Sequence, residues 1–388
     1  MLSAKTSHIA YLDSVRGLAA FSVLCSHYIK AYDLPCRSAW CYQVLKAPAL
    51  HFFWDGGSAV CLFFILSGYV LSRRYFDGRV AHAFSLLVFM QYVRARLCRI
   101  LLPYWVILLL SVVVYPWYDS AHTIQTLTVP PQDSWIANLW SYPVGWRDAL
   151  AEANLFYPPD MQVYLPHAWT LSIELLLSLW VPLAAWLASW SSVGFIVVTL
   201  LAILWLDVCR FAFHFMLGIL YAKYFTPVTQ VLSARAGWQW LAACSGFALY
   251  AMGDALLSYA GETFVGWIPG IGGLLMLAAC SSSAHLQVWL AFAPIRYLGR
   301  ISYSIYLIHF AILIVLTPRF LVWLDAGPAY LAHAWWAGLM FTAFCTVLLS
   351  DLHYRWVEVP AMSLCRSARG ERQAGLTVCG LRGEAGGG

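Results

Sequence analysis

Charge is what this 388-residue chain has least of: Asp, Glu, Lys and Arg together make up 11% of it, against about a quarter of an ordinary soluble domain. Hydrophobic residues make up 62%, and the mean hydropathy is +0.70. A soluble globular fold is excluded, and an all-α, polytopic membrane helix bundle is expected. At roughly 20 residues per span, the length admits about ten transmembrane helices with mostly short connections and no second soluble domain of normal size. A basic tract is also missing: the net charge of +5 is spread over helix ends, which fits a cytoplasmic bias of loop charge and argues against nucleic acid as a partner. No metal motif is present, since most of the eleven cysteines, Cys25, Cys61, Cys98, Cys209, Cys244, Cys280 and Cys345 among them, lie singly in apolar segments. Cys36 and Cys41 stand apart in an expected outer loop, where a disulfide forms or not according to the compartment. No internal repeat is visible, which counts against inverted-repeat transporters. No cleavable leader pattern is evident, so the N-terminal segment is expected to stay as the first helix.

What is there is a set of ionisable residues inside apolar runs. The first span, Ile9 to about Ile29, carries Asp13, Arg16 and His27. Helical geometry sets Asp13 one turn from Arg16 and returns His27 to nearly the same face, about 16 Å along the axis. Such residues in a span face the bundle interior, pair with each other, or mark a pathway. The second span runs from about Leu50 to Leu71 and the third from about Val93 through Pro103 to Tyr115. A loop of about 116–168, rich in proline and aromatics, is too long for an idle connector and is expected to form an external cap. Spans four to ten are expected near Trp169–Trp190, Val193–Asp207, Val208–Phe225, Trp238–Tyr259, Phe264–Ala284, Ile295–Leu316 and Ala332–Val357. With an even number of spans, Arg73, Arg74, Arg94, Arg96, Arg99, Lys223, Arg296 and Arg300 share the side of both termini, as the positive-inside rule requires for cytoplasmic ends. The transmembrane domain is then 1–362, and the Gly- and Arg-rich residues 363–388 form a disordered cytoplasmic tail.

Four constellations can carry chemistry. His27 reads either as a general base or as an interfacial histidine satisfied by a carbonyl, and Asp13–Arg16 as a functional or a structural pair. His167, Trp169 and Glu174 open the fourth span, with Glu174 beyond the first turn, where a helix-start role no longer explains it. Arg94, Arg96 and Arg99 match phosphate in charge and geometry, or anchor the cytoplasmic end. Ser302, Tyr306 and His309 share one face of the ninth span, as interhelical glue or as a cavity lining. Ser67-Gly68 in the second span reads as a close-approach site, and Glu358 beside Arg355 as a helix terminator with a local ion pair.

In this order the motifs are specific: Leu12-Asp13-x-x-Arg16-Gly17, His27, Phe63-Phe64-x-x-Ser67-Gly68, Arg94-x-Arg96, Trp169-Thr170-Leu-Ser172-x-Glu174, Phe215-x-x-Gly218, Ser302-Tyr303-Ser304-x-Tyr306-x-x-His309 and Glu358-x-Pro360. Over nearly its full length the chain resembles the acyltransferase 3 family of integral-membrane O-acyltransferases. The resemblance implies an enzyme of the bacterial inner membrane. It takes an acyl group from cytoplasmic acyl-CoA, usually acetyl-CoA, to a hydroxyl of an extracytoplasmic glycan or glycolipid. It implies His27 as the catalytic residue with Arg16 as its partner, Arg94 and Arg96 toward the donor, and Glu174 as a functional carboxylate; beside them Asp13 is read with the catalytic group, Arg99 with the donor arginines, and His167, Trp169, Tyr306 and His309 toward substrate. Leu175 stands where many members carry a second acid, and no hydrolase-like domain is appended. The competing reading is a secondary transporter or a flippase of a lipid-linked glycan, because buried ionisable groups also build proton relays.

Overall fold

The structure, a computed structural model, describes residues 2–32, 36, 38–78, 86–117, 144–156, 163–205, 211–252, 266–324 and 332–364. All regular elements among them are helical. The helices used below are α1 (Leu2–Tyr32), α2 (Gly56–Phe76), α3 (Leu86–Val114), α4 (Trp146–Ala153), α5 (Trp169–Trp190), α6 (Ser192–Trp205), α7 (Phe211–Lys223), α8 (Phe225–Ser233), α9 (Ala236–Ala251), α10 (Trp267–Ser282), α11 (Ala284–Leu290), α12 (Ala293–Arg300), α13 (Ser302–Ala311) and α14 (Ala332–His353). α13 continues through a π-helical segment, Ile312–Leu316, and the helix Thr317–Trp323, while α14 continues through a second π segment, Tyr354–Glu358.

A helical segment stands where each of the expected spans was placed. Five stretches, Gly56–Phe76, Leu86–Val114, Pro166–Trp190, Ser302–Trp323 and His333–Leu364, are long and apolar enough to cross a membrane, and α10 with α11 makes a sixth if that pair, bent by 100°, is one span. α6 and α7 are shorter apolar helices. The chain is an integral membrane protein. Boundaries differ from the sequence reading by several residues at the first, second and tenth spans, where the helices are Leu2–Tyr32, Gly56–Phe76 and a stretch running on to Leu364, and two further differences concern the third and ninth. The third span begins at Leu86 rather than Val93. The ninth is not one helix from Ile295: α12 ends at Ile301, and α13 starts a new helix that runs with its continuation to Trp323. Beside this break α12 crosses α1 closely: a Cβ on either Gly17 of α1 or Gly299 of α12 would strike the backbone of the other helix.

The same device joins α2 to α7. A Cβ on Gly68 would collide with the carbonyl of Phe215, and one on Gly218 with that of Ile65. Small residues let backbones approach in lipid, where apolar burial gives helices little reason to associate. Polar ends are satisfied locally. Asp55 caps α2 by accepting from the Ser58 backbone N–H at 2.8 Å, a cap worth about 1 kcal/mol. Pro182 inside α5 lacks the N–H that would bond the Ser178 carbonyl. Tyr92 of α3 donates to that carbonyl instead, at 2.6 Å. The larger buried core gathers α1, α2, α3, α5 and α13, and a second packs α2 and α5 against α6 and α7.

Within the expected external cap, residues 118–143 and 157–162 lie outside the described residues, as does the tail from 365. The described part is anchored on α3: the Tyr104 hydroxyl donates to the Glu152 carbonyl at 3.0 Å, and the Trp105 indole to that of Ala153 at 2.9 Å. Glu152, 2% exposed, holds the strand of chain leading to α5. Its carboxylate accepts from the backbone N–H groups of Val163, Tyr164 and Leu165 at 3.0, 2.7 and 2.7 Å. A Cys36–Cys41 disulfide closes the loop after α1.

Candidate active site

α1 carries Arg16 and His27 about 16 Å apart along its axis, and the two ends of that helix open onto different surroundings. At the first end, a cleft of about 870 Å³, counting its open mouth, is lined by Arg16, Arg96, Arg99, Ser67 and Glu174, then by Phe63, Phe64, Ile100 and Leu171. It reaches Thr170, Ser302, Tyr303 and Tyr306. Arg96 donates to Glu174 at 2.9 Å, and the Ser67 hydroxyl donates to the same carboxylate oxygen at 3.0 Å. Arg16 pairs with Asp13 at 3.2 Å, one helical turn away. Arg99 lies within electrostatic reach of Arg16, Arg96, Glu174 and Glu358. Of the charged side chains that line the cleft itself, three are guanidinium groups and one, Glu174, is a carboxylate, while the inner wall is apolar and aromatic. That is the chemistry of a site for a phosphorylated molecule with an apolar or acyl-bearing arm. Arg94 is exposed and does not line the cleft, because two residues of helix turn it about 200° from Arg96.

At the second end, three histidines from three elements meet. His27 Nδ1 and His309 Nε2 are 2.8 Å apart with their rings stacked, and His309 Nδ1 lies 3.1 Å from the Ile305 carbonyl. A carbonyl only accepts, so His309 carries its proton on Nδ1. A neutral imidazole has one N–H, so Nε2 of His309 accepts and His27 donates from Nδ1. This chain of donation fixes the neutral tautomer of His27 and puts the basic lone pair on its Nε2. His167 sets its ring edge-on to His309, with centroids 4.9 Å apart, and also contacts Tyr306 and Phe310.

The ends are joined by Tyr306 and Thr170. Both line the cleft, their hydroxyls are in mutual contact, and both lie within reach of the His167 carbonyl, at 2.8 Å from Tyr306 and 3.2 Å from Thr170; their two protons serve two of these three contacts. The inner wall of the cleft is thus one hydrogen bond away from the histidine cluster. Of the residues singled out from sequence, His27, His167, His309 and Tyr306 come together, while Arg16, Asp13, Glu174, Arg96 and Arg99 form the other end. Trp169 packs on Phe211 of α7, with ring centroids 5.3 Å apart, and lines neither.

Two features were not anticipated. Ser67 does more than allow close approach, since it anchors Glu174. The expected Glu358–Arg355 pair does not exist: Arg355 bonds Asp351 at 2.7 Å, one turn back on the exposed face. Glu358 turns inward instead, 3% exposed, to take Ser304 at 3.0 Å. Nor does the helix end there; it continues to Leu364. Ser304 also lies 2.8 Å from His353 Nδ1, whose Nε2 lies 3.2 Å from the Pro103 carbonyl. With Nε2–H given to Pro103, proton counting leaves two states for this network: protonated Glu358 with neutral His353, or carboxylate with imidazolium. Both hold one shared proton. His353 was legible as an ionisable residue in an apolar run, five positions before Glu358. Glu152 had no local signal, because its backbone partners come from the following loop.

Residues 9–355 match the model of a family described as an acyltransferase domain. No curated protein and no solved structure matches the chain.

Proposed function

The chain belongs to the acyltransferase 3 family of integral-membrane acyltransferases, and on that premise we propose that it transfers an acyl group, acetyl in the simplest case, from cytoplasmic acyl-CoA to a hydroxyl of an extracytoplasmic glycan or glycolipid. One observation carries this reading: a single cleft runs from Arg16, Arg96 and Arg99 to Thr170 and Tyr306, one hydrogen bond short of the histidine cluster. The cleft covers part of the axial distance between Arg16 and His27, ending at Thr170 and Tyr306. The guanidinium groups suit the phosphates of the donor, and the apolar wall suits its extended arm, which brings the thioester inward. The arginine end then faces the cytoplasm of a bacterial inner membrane, in accord with the loop-charge bias, and the histidine end faces the acceptor.

In this mechanism His27 Nε2 takes the proton of the acceptor hydroxyl as its oxygen attacks the thioester carbonyl. His309 Nε2 accepts from His27 Nδ1–H throughout, so the imidazolium that forms stays oriented and its charge is spread toward a second ring. Collapse breaks the carbon–sulfur bond, and the thiolate recovers the proton from His27. Atoms and charge balance, with ester and free thiol as products.

The test is labelled acetyl-CoA added to purified protein in lipid. Acceptor-bound or protein-bound label is the transferase outcome, whereas movement of a lipid-linked glycan without label is the carrier outcome. His27→Ala should abolish transfer at a normal level of membrane-inserted protein, and retained transfer removes His27 from this role.

A further inference from the structure

We propose that the ring N–H of His167 stabilises the oxyanion that develops on the acyl carbonyl during transfer. The inference rests on the acyl-transfer reading and deepens it. Among the described residues neither ring nitrogen of His167 makes a hydrogen bond of normal geometry, although the residue is only 4% exposed; the backbone of Tyr306 and Leu307 offers it no more than weak contacts. Leaving a buried polar group unsatisfied is costly, and such groups in native structures call for a specific explanation.

The surroundings supply one. The His167 backbone is fixed: its carbonyl takes the Tyr306 and Thr170 hydroxyls, and Ala168 closes the turn onto Leu165 at 2.8 Å. Its ring is held by packing against His309, Tyr306 and Phe310. The side chain is therefore preorganised, as a transition-state donor must be.

The donors around it are already engaged. The two protons of the Tyr306 and Thr170 hydroxyls are taken up within the triangle these hydroxyls form with the His167 carbonyl. His309 gives Nδ1–H to Ile305, and His27 gives Nδ1–H to His309. Of the described side chains gathered here, His167 holds the N–H with no acceptor. In the proposed arrangement the acyl carbonyl lies between the inner wall of the cleft, at Thr170 and Tyr306, and His27, with its oxygen toward the His167 ring. In the addition step the carbonyl π electrons move onto oxygen and the His167 N–H donates to it. On collapse the pair returns to carbon and the carbon–sulfur bond breaks, with no net proton change at His167.

The test compares His167→Leu, His167→Phe and His167→Gln in lipid-reconstituted protein, with kcat and KM measured for acetyl-CoA. Because the ring makes no hydrogen bond of normal geometry, both apolar variants should insert and melt like wild type. Their kcat should fall about 100- to 1000-fold, the loss typical of one oxyanion donor, with KM for acetyl-CoA changed by no more than about threefold. His167→Gln keeps an amide N–H and should recover at least about tenfold of that loss. The acid limb of the pH profile, set by His27, should remain where it is in all active variants. Near-wild-type kcat in His167→Leu overturns the proposal, as does a loss carried in KM, or unfolding of both apolar variants, which would make the ring structural. A wild-type protein that transfers no label from any acyl-CoA overturns the underlying reading as well, and is distinguished by failing before any substitution is made.

Discussion

Glu174→Ala tests how the arginine end is held together. Arg96 is buried, and its side chain is 10% accessible against 27% for Glu174. Its Nε lacks a partner, so the bond to Glu174 is its anchoring interaction. Breaking a buried pair from one side costs about 3–5 kcal/mol, because the remaining charge is stranded. Glu174 opens onto the cleft and water can follow, which sets the expectation at the low end, about 3 kcal/mol. Replacing both partners by apolar residues of similar volume, Arg96→Met with Glu174→Leu, removes the stranded charge and should return most of that loss. The assay is a double-mutant cycle of unfolding free energies in lipid nanodiscs, with a coupling of at least about 2 kcal/mol expected. Single variants that each cost under about 1 kcal/mol and add to the double-variant value would refute the pair as a structural tie. The double variant should nonetheless stay weak for acetyl-CoA, since a guanidinium is gone from the cleft.

His309→Phe keeps a ring in place but removes the acceptor for His27 Nδ1–H, and should lower kcat at least about 100-fold with little change in acetyl-CoA affinity, read from steady-state kinetics. Glu358→Gln and Glu358→Ala separate the two proton states of the Ser304 network by thermal melting. If the carboxyl is the protonated partner, the amide substitutes well and only alanine lowers the melting temperature. If His353 is the cation, both variants lower it. Burial pushes Glu152, outside the spans, from an ordinary carboxyl value up to about 7, with Asp148 adding to the shift. The folded state therefore holds this proton more tightly than the unfolded chain, and that stabilisation is complete below about pH 4.5 and lost as pH rises through about 7. The wild type should lose on the order of 3 kcal/mol between those limits, and Glu152→Gln should flatten the profile of unfolding midpoint against pH.

The polar face of α1 was legible because ionisable groups in an apolar run are conspicuous, and helical spacing alone puts Asp13 beside Arg16 and His27 well away from both. What links the ends was not legible. The His27–His309 bond joins residues 282 positions apart, and no local pattern selects that partner over His167 or His353. Ser67 looked like a packing residue because Gly68 is one. The α2–α7 crossing that Gly68 and Gly218 permit fixes the rotation of α2, and that rotation turns the neighbouring hydroxyl onto Glu174. The break at Ile301 falls inside an apolar run without a proline, so hydropathy reads through it. Glu358 was misassigned for a similar reason: Arg355 is three residues away in sequence, but Asp351 competes for it on the exposed face and leaves Glu358 to the interior.

The destinations of the hydrogen bonds separate glue from chemistry in this bundle. Tyr28, Tyr32, Tyr92 and Tyr303 donate to the carbonyls of Trp335, Leu313, Ser178 and Ile100, each on another helix. A neutral hydroxyl on a carbonyl is worth about 1 kcal/mol and has one protonation state, so these bonds tie helices together and do nothing further. Around the cleft and the histidines other bonds join ionisable side chains to one another or through a hydroxyl: Arg96 to Glu174, His27 to His309, and His353 to Glu358 through Ser304. Stability alone does not favour this, since apolar residues of equal volume serve as well inside a bundle. The arrangement is accounted for if protons and anionic charge must move through it. His167, whose ring makes no hydrogen bond of normal geometry among the described residues, is the place where the proposed oxyanion supplies the remaining partner.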